Sequence, residues 1–204
     1  MLVAQQEKLN KVGVVLIARQ TSSRLPSKVL LKINGKALIE IILEKVLQNT
    51  DEYIFAIPDN YENSNLREFL VNNNYRFFAG SENNVLDRFV EASKQLDSTY
   101  IQRLNCDNLL FHPSYFKKCY DSLDDDCDIF TNVNCVNHSG TSVEIIRKDK
   151  CSITVNPSNY EREHIFPYFY ANKELKRLDL ECPSHSVFPI DTKSEYLEAV
   201  NYFK

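Results

Sequence analysis

Three cations, Arg19, Arg24 and Lys28, stand within ten residues of one another in the stretch LIARQTSSRLPSKVL, residues 16–30. Ser, Thr and Pro separate them, no Gly lies among them, and the apolar run VGVVLIA precedes them. A loop of this make-up can fold around a phosphate chain, because Arg presents planar paired donors and Lys a mobile point charge. One such contact at about 4 Å is worth about 4 kcal/mol at an effective dielectric of about 20, so a few suffice to hold a polyanion. A solvated basic loop is the competing reading, and these residues alone leave both open.

The elements around the loop say where it sits. Val12 to Ala18 is apolar on both alternations, the pattern of a central parallel strand buried on two faces. Leu38, Ile39, Ile41, Ile42, Val46 and Leu47 then form a helical stripe, and Tyr53 to Ile57, stopped by Pro58, reads as a second strand. A helix over Leu66 to Val71, a strand over Tyr75 to Ala79, and a helix carrying Val85, Leu86, Phe89, Val90 and Ala92 behind Ser81 as N-cap continue the alternation. Next come strand Tyr100 to Leu104, helix Pro113 to Leu123 and strand Asp128 to Val133; the later part adds strand Val143 to Arg147 and helices over Glu161 to Ala171 and Ser194 to Phe203. Alternation of this kind predicts an α/β three-layer, Rossmann-like fold with a mainly parallel central sheet. In such sheets ligands bind beyond the carboxyl ends of the strands. Four polar segments fall at or near that edge: the basic loop, GSENN, NCDN, and PID before the last helix.

Composition bounds the rest. The 204 residues suit one domain, expected over residues 11–204 behind a frayed tail at residues 1–10. A net charge of -4 disfavours nucleic acid or an anionic membrane as a partner, so any anion site is local. The N-terminus has no signal-peptide pattern and no apolar stretch reaches roughly 18 residues, which points to the cytoplasm. Six cysteines lack C-x-x-C or His spacing and are expected to be reduced, mostly buried thiols, without a zinc site or disulfide framework. Only four glycines are present, and neither the dinucleotide nor the P-loop fingerprint occurs. The run DDDCD at residues 124–128 reads as a solvated turn before a strand, so a glycosyltransferase D-x-D site is not expected.

The stretch from Ala18 to Leu30 resembles the A-R-x-x-S-T-R-L-P-G-K-x-L signature of cytidylyltransferases that make CMP-activated sugars, including the spore-coat-polysaccharide F-type and CMP-3-deoxy-manno-octulosonate synthetase-like enzymes. NGKALIEIILEKV, FFAGSENNVLDRFVEA, RLNCDN, VEIIR, EREHIFPYF and PIDTKSEYLEAV continue it in order, from about residue 12 to the C-terminus.

That resemblance implies a nucleotidyltransferase fold and a reaction: transfer of CMP from CTP to a small acceptor, a sugar acid, for surface-glycan synthesis. It implies that Arg19, Arg24 and Lys28 grip the triphosphate and that Ala18, Ser22, Ser23, Gly80, Ser81, Arg88, Arg103 and Asn105 line the nucleotide. Asp107 and Asp191 are implied to hold Mg²⁺, which takes one or two carboxylates plus substrate phosphates and water. Ser142, Glu144, Arg162 and His164 are implied to face the acceptor. A homodimer is a further expectation. Thr21 and Ser27 stand where the family has glycines, Cys106 replaces the Gly before the metal Asp, Leu109 replaces a Pro, and Ser142 replaces a common acidic residue. These departures motivate two alternatives: a non-catalytic nucleotide-binding or assembly subunit, and a transferase for another nucleotide or a non-sugar acceptor.

Overall fold

A computed structural model describes residues 11–136, 140–184 and 187–204; the tail expected over residues 1–10 lies outside them. In chain order the strands are β1 (Val12–Ile17), β2 (Lys32–Ile33), β3 (Lys36–Ala37), β4 (Tyr53–Pro58), β5 (Phe77–Gly80), β6 (Tyr100–Asn105), β7 (Ile129–Thr131), β8 (Glu144–Arg147) and β9 (Arg177–Asp179). The α-helices are α1 (Leu38–Val46), α2 (Ser64–Asn72), α3 (Val85–Ser93), α4 (Pro113–Asp121), α5 (Asn159–His164), α6 (Phe166–Ala171) and α7 (Lys193–Tyr202). Strands β5-β4-β1-β6-β8-β7-β9 form one sheet, in which β8 runs antiparallel to both of its neighbours and the other pairs are parallel. This is the expected α/β nucleotidyltransferase fold.

Alternate residues of β1 feed two apolar layers. Val12, Val14 and Leu16 pack with Leu38 and Ile42 of α1, Leu66 and Leu70 of α2, Phe116 of α4 and Ala199 of α7. Val15 packs on the opposite face with Leu86, Phe89 and Val90 of α3 and Phe166 and Phe169 of α6. Phe89 is fully buried, its ring centroid 6.1 Å from that of Phe166 and 6.5 Å from that of Phe169. Truncating a buried aromatic of this kind costs about 3–5 kcal/mol, more than any surface contact contributes, so these layers set the position of the sheet edge.

The chain leaves β1 toward β4 on one side and finds β6 on the other, which makes the end of β1 the point where strand order reverses. The basic loop therefore emerges into a crevice between two strand ends.

Several local expectations are corrected. The N-cap of α3 is Asn84, whose side chain accepts from Asp87 N at 3.2 Å; Ser81 instead closes the preceding turn by accepting from Asn84 N. The single helix expected over Glu161 to Ala171 is two short ones, broken at Ile165 with φ of 64°. Pro167 follows at once and supplies no N–H to continue the first helix. Asn34 and Gly35, both at positive φ, turn the small β2-β3 hairpin, a signal that Asn-Gly carries. Finally, Cys135 and Cys182 form a disulfide with Cα atoms 5.5 Å apart, contrary to the expectation of reduced thiols throughout. Parallel pairing of β7 with β9 brings the two following loops together, which spacing along the chain does not reveal. Cys106, Cys119, Cys127 and Cys151 are free.

Candidate active site at the carboxyl edge of the sheet

A cavity of about 350 Å³ opens where β1 and β6 end. From the basic loop it is lined by Arg19, Ser22, Ser23, Arg24, Lys28 and Val29; from the β6 end by Arg103, Asn105, Cys106 and Asp107; and from the α5-α6 junction by Glu163, His164 and Ile165. Ile17, Val85, Arg88 and Asp191 complete it.

The loop holds its shape through Gln20. Its backbone N–H donates to Asn63 Oδ1 at 2.8 Å, its Oε1 accepts from Leu66 N at 2.7 Å, and its carbonyl accepts from Ser27 N at 2.9 Å. Thr21, at one of the lost glycine positions, donates to Glu82 Oε1 at 2.8 Å, while Asn60 donates to the other oxygen of the same carboxylate. Ser27, at the other, is left-handed with φ of 55°. That conformation costs a non-glycine residue on the order of 1 kcal/mol, and a 3.3 Å hydrogen bond from Gln20 Nε2 to Ser27 Oγ offsets part of it. The loop thus ties itself to its neighbours through the two residues that stand at the glycine positions.

Asp107 and Asp191 lie side by side. Ile190 N donates to Asp107 O at 2.8 Å, which fixes the two segments side by side. Their carboxylates are bridged by one ammonium: Lys28 Nζ lies 2.8 Å from Asp107 Oδ2 and 2.7 Å from Asp191 Oδ1. Arg24 pairs with the other oxygen of Asp191 at 2.9 Å. Burial pushes the Asp191 carboxyl up, but Lys28 and then Arg24 outweigh it and hold it below the ordinary aspartate value. The helix cap at this point is Thr192, in a capping box with Glu195, so Asp191 is not consumed by capping. Gly140 at φ of 70° lies so close to residues 187–188 that a Cβ there would meet backbone at 2.9 Å, which steadies the segment leading to Asp191.

Lys28 is buried, at 8% exposure, with its ammonium held between the two carboxylates.

Arg88 is 1% exposed, and its guanidinium donates to Ser81 O, while its Nε has no partner. Burial, then the charge of Arg19, lower it to about 10, so it stays protonated at neutral pH. Among the described residues neither Arg88 nor Arg19 has a carboxylate within ion-pair distance. A buried guanidinium that lacks a direct ion pair and lines a cavity favours an anion there, although the charges of Glu82 and Asp59 also act on it.

Of the residues expected to face an acceptor, His164 lines the cavity and the others do not. Arg162 turns away, bonding Pro157 O at 3.2 Å and Asn156 Oδ1 at 2.7 Å. Glu144 is buried beneath Arg103, with Oε2 3.1 Å from Arg103 Nε and Oε1 accepting from Tyr170 OH at 3.1 Å. Arg103 also donates to His164 O at 3.1 Å. Ala18, Gly80 and Ser81 lie behind the lining; Ala18 N bonds Ala56 O, Gly80 O accepts from Asp59 N, and Ser81 acts through Arg88. Glu163, Ile165 and the Gln20-Asn63-Glu82 supports were missed by sequence reasoning. The polar Gln20 directly after Arg19 was the available signal.

The donor set fits a hard divalent cation: two carboxylates already share one cation. Among the described residues no group of three His, Cys, Asp or Glu could hold a metal, so the remaining ligands would be phosphate and water. Likewise, among the described residues no helix is long and apolar enough to cross a membrane.

Comparison with known proteins identifies the family of the chain. Residues 14–197 match the family described as cytidylyltransferase. The chain is 32% identical over 181 residues to an uncharacterized protein of Methanocaldococcus jannaschii, covering 86% of this chain and 74% of that one. It is 28% identical over 205 residues to the spore coat polysaccharide biosynthesis protein SpsF of Bacillus subtilis, covering 92% and 84%. A solved cytidylyltransferase from Leptospira borgpetersenii superposes with a TM-score of 0.82 at 25% identity over 95% of this chain and 88% of that one.

Proposed function

Because this chain belongs to the cytidylyltransferase family, we propose that it transfers CMP from CTP to an oxygen of a small acidic acceptor, a sugar acid, releasing pyrophosphate. The observation that carries this reading is the cavity itself, where Arg19 and the buried Arg88, without an ion-pair partner among the described residues, line one crevice with a pair of carboxylates. The spore-coat relative supports a role in surface polysaccharide synthesis.

In this reading Arg19, Lys28 and Arg88 bind and neutralise the triphosphate, and Ser22 and Ser23 add donors. Asp107 and Asp191 hold a divalent metal, Mg²⁺, which would neutralise charge on the phosphate under attack and on the departing pyrophosphate. Arg103, expected on the nucleotide side, is held by Glu144 and the His164 carbonyl and in this reading instead presents a fixed cation to an acidic acceptor. The acceptor oxygen attacks the α-phosphorus in line, its proton passes to solvent water, and the bond from the α-phosphorus to the bridging oxygen breaks, so that oxygen leaves with the pyrophosphate. Positioning and electrostatic stabilisation supply the catalysis, with no covalent role for the protein.

Pyrophosphate release measured with each of the four nucleoside triphosphates against a panel of sugar acids and phosphorylated polyols tests this. CTP with a sugar acid should be turned over fastest. Equal release with every nucleotide would refute the cytidine assignment, and CTP binding without turnover across a broad acceptor panel would favour the non-catalytic reading.

A further inference from the structure

Two cations of the basic loop are already engaged. Lys28 donates to both carboxylates of the proposed metal pair, and Arg24 covers the remaining oxygen of Asp191. The Lys28 side chain is only 10% exposed, so this is an enclosed ion triad and not a surface contact. An ammonium between two carboxylates occupies the place a divalent ion shared by them would take, and two cations cannot both be there.

We propose that Lys28 is a resident counter-ion that excludes free divalent metal, so that the site accepts metal already complexed to a triphosphate. The inference rests on the assignment of Asp107 and Asp191 to the metal made above.

A free metal ion entering alone must evict the ammonium, whose hydrogen bonds among the described residues go to these two carboxylates. It also brings two positive charges into a cavity already lined by Arg19, Arg88 and Arg103. A metal–triphosphate complex carries net negative charge and offers phosphate oxygens at the same moment. Lys28 can then exchange carboxylate for phosphate, and Arg19 and Arg88 gain partners. The backbone need not move for this. Lys28 begins a short 3-10 helix whose next residue, Val29, is buried, while the four-carbon stem of a lysine is free to rotate its ammonium from one anion to another.

The test is Mn²⁺ binding to the full chain, followed by electron paramagnetic resonance of the free ion, with and without CTP. Without nucleotide, Lys28→Met should bind Mn²⁺ at least tenfold more tightly than wild type, and adding Asp191→Asn to Lys28→Met should abolish the gain. Lys28→Gln, of nearly the same shape, should behave as Lys28→Met does and carries the test should the latter not fold. Equal Mn²⁺ affinity of wild type and both Lys28 variants overturns the inference. With CTP present, Asp191→Asn alone separates the two levels. If it weakens Mn²⁺ binding while the Lys28 variants match wild type without nucleotide, the metal assignment stands and the exclusion fails. If it leaves Mn²⁺ binding unchanged, the assignment itself fails and the exclusion falls with it.

Discussion

At the end of the cavity built by β1 and β6, Arg19, Ser22, Ser23, Arg24, Lys28, Asn105 and Asp107 come together while Ala18 lies behind the lining, whereas at the end built by the α5-α6 junction only His164 of the four residues expected to face an acceptor lines it. The difference is topological. Short loops that leave parallel strands carry their residues to the carboxyl edge whatever the details of packing. Beyond β7 the chain enters an antiparallel strand and then a helix broken at Ile165, so small changes of direction decide which side chains face the cavity. Glu144 shows the outcome: register opposite Arg103 turns it into the support of a cation from the neighbouring strand.

The largest effect should come from the carboxylates at the first end. Asp191→Asn or Asp107→Asn should lower turnover by roughly 10³ or more, because the charge stabilisation lost is worth several kcal/mol. Unfolding temperature measured in parallel should show a folded protein. Near-normal turnover in both variants would break the comparison at its stronger end.

Arg88→Met comes next. It removes a buried guanidinium that lacks an ion-pair partner, so nucleotide affinity by calorimetry should fall by about 1.5–3 kcal/mol while thermal stability holds or rises. Loss of both together would make Arg88 a structural residue and not a site residue.

Glu144→Gln sharpens the contrast between the two ends. It should leave the KM for nucleotide within about threefold and raise the KM for acceptor about tenfold, the effect of loosening Arg103 by about 1.4 kcal/mol. A shift confined to the nucleotide KM would move Arg103 to the other end of the cavity.

Lys45 lies outside both ends and gives a small, separate effect. Its ammonium donates to Leu109 O and Phe111 O, and burial lowers it from 10.5 to about 8. Between those values the unfolded chain binds more protons than the native one, so native stability rises with pH there. Urea unfolding of wild type against Lys45→Met should show the difference moving in favour of wild type from pH 8 to 10.5, with no change in nucleotide affinity at pH 7.

How far the sequence could be read follows the same division. The apolar alternation of β1 and the stripes of α1 and α3 specify layers directly, because each residue's face is set by local geometry. That Asp107 and Asp191 share one edge of the sheet was legible from the placement of NCDN and PID at strand ends, and their pairing from the order of segments in the resembled family; the Ile190 to Asp107 hydrogen bond that joins them spans distant parts of the chain. The burial of Lys28, the disulfide between Cys135 and Cys182, and the turning away of Arg162 depend on tertiary neighbours and leave no mark in spacing. Thr21 and Ser27 read as losses of glycine, yet the structure keeps the loop by a left-handed serine and a threonine-carboxylate bond.

A crystal structure with CTP and Mg²⁺ should show triphosphate oxygens on Arg19, Lys28 and Arg88, with the metal between Asp107 and Asp191 and the ammonium of Lys28 moved from carboxylate to phosphate. A triphosphate bound away from the basic loop, or seated there with Lys28 still bridging both carboxylates and no metal beside them, would contradict this.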